Sequence, residues 1–213
     1  MLATDWVTIS ALATAGGTLV LALATFASVR SANRAARVAE RSLLLGLRPL
    51  LLPSKLDDPP QKVGFADENW FVVEGGRGVA EAGEDAIYLA ISVRNVGSGI
   101  AVLHGWYLNH DPSFGSDAAH VPLDQFRSLT RDLYVPVNDV GFWQGVFRDP
   151  ESDEFRDVAA AIEARERLVI DVLYGDHEGG QRAVSRLSLT PASDGGWIAS
   201  AARHWNIDRD DPR

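Results

Sequence analysis

The chain has 213 residues, no cysteine and a formal net charge of −9. Lack of cysteine excludes disulfides, thiolate nucleophiles and Cys-ligated zinc. The charge is uneven. Residues 30 to 48 carry five arginines against the single acid Glu40, whereas residues 49 to 213 carry 27 acidic against 15 basic side chains. Phosphate binding needs a basic face, so this acidic segment argues against nucleic acid as a general partner.

The stretch Trp6 to Val29, 24 residues long, holds no charged side chain and lies between Asp5 and Arg30. As a helix it would reach roughly 36 Å, enough for a bilayer core of about 30 Å. Its Leu, Val, Ile9 and Phe26 favour insertion by about 3 to 5 kcal/mol together, while its Ala, Thr, Ser and the Gly16-Gly17 pair are neutral or mildly opposing. Two readings compete with a retained anchor. A buried soluble helix rarely runs so far without charge. A cleaved signal segment could end at Thr25-Phe26-Ala27, but MLATD supplies no basic residue and the apolar run exceeds a signal core. The expectation is a transmembrane anchor over 1–29.

Residues 30–48 form a basic helical stalk in this reading. Arg30, Arg34, Arg37 and Arg41 step by four, three and four, which places them on one helical face. Such a face is either simply solvated beside anionic headgroups or a specific lipid or partner clamp. Positive flanks stay cytoplasmic, so the expected topology has the N-terminus outside and the C-terminal bulk in the cytoplasm. The helix should persist to about Leu47 and stop before Pro49.

Residues 49–213 read as one domain. Leu50–Leu52 and Asn69–Val73 are candidate strands, separated by the Pro- and Asp-rich stretch 53–62, and the Gly-rich acidic stretch Glu74–Asp85 reads as a loop. Ile87, Leu89, Ile91 and Val93 alternate with Tyr88, Ala90, Ser92 and Arg94, the pattern of a strand with one buried face. Asn95, Gly97 and Gly99 follow as turn residues tolerant of positive φ, and Ile100–Leu108 would complete an antiparallel hairpin.

Two short helices are predicted next. Pro122–Thr130 is the first, with Phe126, Leu129 and then Leu133 at helical spacing. Pro150–Ala164 has Asp149 as cap, an acidic first turn and an apolar face of Phe155, Val158, Ala159 and Ile162. Leu168–Tyr174 and Arg182–Leu189 read as a second strand pair. Trp197–Trp205 reads as the last strand, before a loose tail. About eight short strands with glycine turns indicate a mainly β fold, a β-sandwich with one or two short inserted helices.

The segments Arg48-Pro49, Arg94-Asn95-Val96-Gly97-Ser98-Gly99-Ile100-Ala101 and Tyr174-Gly175-Asp176-His177-Glu178-Gly179-Gly180 resemble a class of uncharacterised, actinobacterial-type single-pass membrane proteins. Those have an N-terminal helix, an Arg/Ala-rich stalk and an immunoglobulin-like β-sandwich; they commonly carry Pro where Ile100 stands here. The resemblance implies an immunoglobulin-like fold and no activity.

Chemistry-bearing motifs are sparse. The five histidines show no HExxH spacing. His104 reads as a strand residue, and His110-Asp111 and His120 flank a loop. Asp176, His177 and Glu178 form the densest group of candidate ligands, though a hairpin tip needs only solvent to explain them. Gly97-Ser98-Gly99 is too short for a nucleophile elbow, and glycines 75, 76 and 78 lack a Walker lysine. No cofactor is indicated. The leading expectation is a non-enzymatic, membrane-anchored module that meets the bilayer, its anionic headgroups and an unidentified protein partner. The alternatives are an extracytoplasmic module for cell-wall carbohydrate or protein, if topology is reversed or the anchor is cleaved, in which an exposed tryptophan could contact sugar, and an enzyme using the Asp176–Glu178 loop with His104 or His204.

Overall fold

The computed structural model describes residues 2–109 and 118–208. His110 and Asp111 lie outside the described residues, as does the side chain of Arg41. The chain divides into two units, Met1–Leu45 and Gly46–Arg213.

A single helix, α1 (Leu2–Gly46), makes up the first unit. It is long and apolar enough to cross a membrane, and no part of its apolar window is buried by protein. Its hydroxyls are matched within the helix: Ser10 donates to the Val7 carbonyl, and Thr14, Thr18 and Thr25 to the carbonyls four residues back, at 2.8 to 2.9 Å. Back-bonding of this kind removes the unsatisfied donors that would oppose transfer into hydrocarbon.

The second unit is mainly β. Its elements are β1 (Leu51–Pro53), β2 (Gln61–Gly64), β3 (Trp70–Val73), β4 (Arg77–Ala82), β5 (Ile87–Asn95), β6 (Ala101–Asn109), β7 (Arg127–Val135), β8 (Val140–Phe147), α2 (Asp153–Glu163), β9 (Leu168–Asp176), β10 (Arg182–Pro191) and β11 (Trp197–Asn206). All strand pairings are antiparallel. β5 pairs with β8 along Ile87–Arg94, with β4 along Ile87–Ile91 and with β1 along Val93–Asn95. A second group runs β11-β10-β9-β6-β7. Among the described residues, the pairs Trp197↔Gly78 and Ile198↔Arg77 join the two groups into one sheet, with Ala199 N donating to the Gly76 carbonyl at 3.0 Å beside them. Both groups feed one core: Ile87, Leu89, Ile91, Trp143 and Phe147 from the first, Leu103, Trp106, Ile170, Tyr174 and Leu187 from the second.

The β2–β3 ribbon forms a separate two-stranded sheet. Val63, Phe65 and Val73 pack with Ala90, Tyr88, Phe142 and Val146 on the other face of β5 and β8. This cover corrects the expectation of one buried face on β5. Ser92 is fully buried, and its hydroxyl meets that of Ser54 at 2.7 Å.

The expected hairpin between β5 and β6 does not form. The strands belong to different groups, and residues 96–100 pass from one to the other. The expected positive φ is also absent from Gly97 and Gly99; the left-handed glycines among the described residues are Gly76, Gly179 and Gly195. Close approach explains these two instead. A Cβ on Gly97 would lie 2.4 Å from the Leu50 nitrogen, and one on Gly99 would lie 1.7 Å from the Leu47 carbonyl oxygen. Asn95, fully buried, closes the junction: its Oδ1 accepts from Leu50 N and Gly97 N, and its Nδ2 donates to the carbonyls of Gly99 and Val135.

Three further expectations change. Part of the Glu74–Asp85 stretch is strand β4, poor in β-formers and held by pairing with β5 and β11. The helix expected from Pro122 is a single 3₁₀ turn, Leu123–Gln125, after which Phe126 is extended and β7 begins. The four-residue step from Leu129 to Leu133 satisfies both helical and strand periods, and pairing with β6 decides for the strand. Ser152 rather than Asp149 caps α2, its Oγ accepting from Phe155 N at 3.2 Å. Phe155, Val158 and Ile162 are buried as the pattern required, with Ala161 joining them and Ala159 half-buried. The pairing of β9 with β10 and the strand from Trp197 agree with expectation.

Candidate functional site

The most site-like feature lies between β7 and β8. The turn at 136–139 joins these consecutive strands, yet among the described residues β7 pairs only with β6 and β8 only with β5. Away from the turn they border an open cleft of about 430 Å³. Residues 127–129 of β7 and 144–146 of β8 line it, with Trp106, Arg148 and Asp149. That volume is within the ordinary range for ligand sites.

The sequence builds this cleft from aromatics and arginines. Trp106 packs edge-on against Trp143 and Phe147, at ring separations of 5.5 and 5.2 Å. Gly145 makes room for them, since a Cβ there would lie 2.9 Å from Trp143 and 3.1 Å from Trp106. The Arg127 guanidinium lies 4.8 Å from the Phe147 ring centre and 5.7 Å from that of Trp106, and is tethered to Glu154 of α2. Arg131 donates to Gln144 Oε1 at 2.9 Å and to the Gly64 carbonyl at 3.1 Å. Arg148 reaches Asp67 at 3.0 Å. Asp67 also accepts from the Tyr88 hydroxyl. That bond, with the Arg148 contact, holds the carboxyl at about 2, below its ordinary 3.8. Asp67 in turn pushes the Tyr88 phenol upward. Sequence reasoning missed the cleft because β8 was not anticipated; the alternation of Trp143, Gly145 and Phe147 was the available signal.

The anticipated site residues are scattered. Arg30, Arg34 and Arg37 are exposed on α1, and Arg41 lies on the same helix. Asn95, Gly97 and Gly99 are structural. Asp176 is buried, contrary to a solvated tip, and caps its own turn by accepting from Gly180 N at 2.9 Å and Gln181 Nε2 at 3.2 Å. His177 and Glu178 pair with each other at 3.3 Å and are open to solvent. His104 is exposed at the register irregularity of β6. Among the described residues, no three His, Asp or Glu side chains group closely enough to hold a metal ion.

His204 belongs to a second polar set. Its Nδ1 lies 3.2 Å from both the Tyr174 hydroxyl and the Ser185 Oγ, and its Nε2 lies 3.3 Å from Arg48. Ser185 donates to the Leu51 carbonyl at 3.0 Å, and Leu51 N donates to the Tyr174 oxygen at 3.1 Å. Burial pushes the Tyr174 phenol up to about 12. Ser185 is itself buried, so the set fastens β1 to β9 and β10 and offers no accessible nucleophile.

Of the domain tryptophans, Trp70 is exposed (61%), whereas Trp106, Trp143, Trp197 and Trp205 are buried. Its indole lies across Gly64, with Lys62 Nζ 5.0 Å from the ring centre. Comparison with known protein families, curated proteins and solved structures finds no match to this chain.

Proposed function

We propose that the chain is a single-pass membrane protein whose β unit is an immunoglobulin-like sandwich that recruits or regulates a protein partner at the cytoplasmic face, without catalysis of its own. The observation that carries the anchor is the exposed, charge-free run Trp6–Val29 followed by arginines at 30, 34 and 37. Positive flanks resist translocation, which favours a cytoplasmic C-terminal unit. Two antiparallel groups sharing one core support the sandwich, and the resemblance of the turn segments points the same way. The open edges of β7 and β8 support protein recruitment, because an edge strand offers a row of backbone donors and acceptors. Exposed Trp70 favours a second reading, an extracytoplasmic module stacking on cell-wall carbohydrate.

Protease protection of the β unit in intact cells separates the two. Protection is expected, and digestion by external protease would overturn the cytoplasmic reading. Cross-linking in membranes then tests recruitment, with a specific protein partner as the expected product.

Charge reversal tests the topology signal. Replacing Arg30, Arg34, Arg37 and Arg41 with Glu should give mixed or inverted topology by a C-terminal reporter, with membrane attachment intact. A wholly cytoplasmic reporter would show that the arginines do not set orientation.

A further inference from the structure

We infer that the cleft between β7 and β8 is a peptide site, taking an extended segment that carries acidic side chains as an added strand. This inference deepens the recruitment reading and rests on it. Three consecutive residues of each edge, 127–129 and 144–146, border the same opening, and neither strand has a partner on that side among the described residues. An extended chain laid there can pair its own N–H and C=O groups with a strand edge, the recognition mode of β-augmentation. Alternate side chains of such a strand point in opposite directions, so one set would face the Trp106 side of the cleft and the other its rim.

Charge selects the acidic occupant. Residues 49–213 are strongly acidic overall, yet two arginines, Arg127 and Arg148, line this opening against the single carboxylate Asp149, and Arg131 reaches its edge through Gln144. The Arg127 and Arg148 side chains are 44% and 45% exposed, each tethered by one carboxylate, Glu154 and Asp67. A guanidinium carries five N–H donors, so each tether leaves capacity for a further carboxylate in a bidentate arrangement. The tethers also hold the arginines in place before a ligand arrives, which reduces the ordering a peptide must impose.

The full chain in phosphatidylcholine nanodiscs, with three fluorescein-labelled peptides of sequence TVEVEVT, TVKVKVT and TVEPEVT, tests this by fluorescence anisotropy. The acidic peptide should bind at least tenfold more tightly than the lysine peptide, which supplies no carboxylate. It should also exceed the proline-interrupted peptide, which cannot pair as a strand. Arg127→Glu with Arg148→Glu should reverse the preference toward the lysine peptide. Arg148→Glu alone, at a half-exposed position, should weaken the acidic peptide while leaving the thermal transition in place.

Equal binding of the acidic and lysine peptides, equal binding of the proline peptide, or an unchanged preference in the double variant would each overturn the site. The outcome is separable from that of recruitment. A partner cross-linked equally well to wild type and to the double variant would sink the cleft and leave recruitment standing. Acidic-peptide binding with no partner captured in membranes would do the reverse.

Discussion

Two arginines in this unit lie over tryptophans and pair with a carboxylate, yet their surroundings make them opposites. Arg186 of β10 is fully buried, sits 4.7 Å from the Trp205 ring centre and grips Asp171, directly opposite it on β9, with two bonds of 2.7 Å. It also donates to the carbonyls of Ala118 and Ala119, which ties those two residues onto the sheet. Arg127 makes the same kind of contacts with Trp106 and Glu154, but its side chain is 44% exposed at the mouth of an open cleft. Solvent separates the two cases. A buried charge cannot lose its partner without leaving the other charge stranded, whereas an exposed one can exchange its partner for water or a ligand.

The largest expected effect is therefore at the buried pair. Arg186→Leu should destabilise the unit by about 3 to 5 kcal/mol, because Asp171 is left charged and unmatched in the interior. Adding Asp171→Leu should restore much of that loss. Denaturant unfolding of both variants checks it, and a loss under about 1 kcal/mol for the single change would break the contrast with Arg127.

Asn95→Ala sharpens the comparison by asking whether burial matters without charge. Two backbone donors and two carbonyls lose a side-chain partner at the crossing between β5 and β6. A loss of about 2 to 3 kcal/mol is expected from the same unfolding measurement, since stranded buried polar groups cost about 1 to 3 kcal/mol. A change within about 0.5 kcal/mol would mean that the junction is held by other contacts.

At the exposed arginine the stability effect should be small. A double-mutant cycle on Arg127 and Glu154 should return a coupling of at most about 1 kcal/mol. A coupling as large as that of Arg186 with Asp171 would make Arg127 a structural residue and weaken its role at the cleft.

The smallest effect concerns acid. Asp67 is depressed to about 2 from 3.8, so its contribution is present above the unfolded value and lost as pH falls through the window from about 4 to about 2. Asp67→Asn should therefore be slightly less stable than wild type at neutral pH, with the gap closing over that window. Melting temperature against pH for the two proteins measures it; a gap independent of pH would detach Asp67 from the clamp on Arg148.

Local pattern was enough where one element answers to its own sequence. The uninterrupted apolar run gave the membrane-length part of α1, the acidic first turn with Phe155, Val158 and Ile162 gave α2, and alternation gave β5. The cleft was not legible, since it exists only because β7 and β8 take different partners. Trp106, Arg127 and Arg148 are separated in the chain by up to 42 positions, and nothing local distinguishes them from other tryptophans and arginines.

By itself, then, the sequence determined the candidate bilayer-length helix, its basic flank and the strand character of the acidic unit, since each follows from periodicity and charge along a short window. Only the tertiary structure decided which strands pair, that Ser92, Asn95 and Asp176 are buried, and that Arg127 is open while Arg186 is closed. Strand pairing and burial depend on residues far apart in the chain, and a glycine such as Gly99 reads as a turn until the backbone of Leu47 is found lying against it.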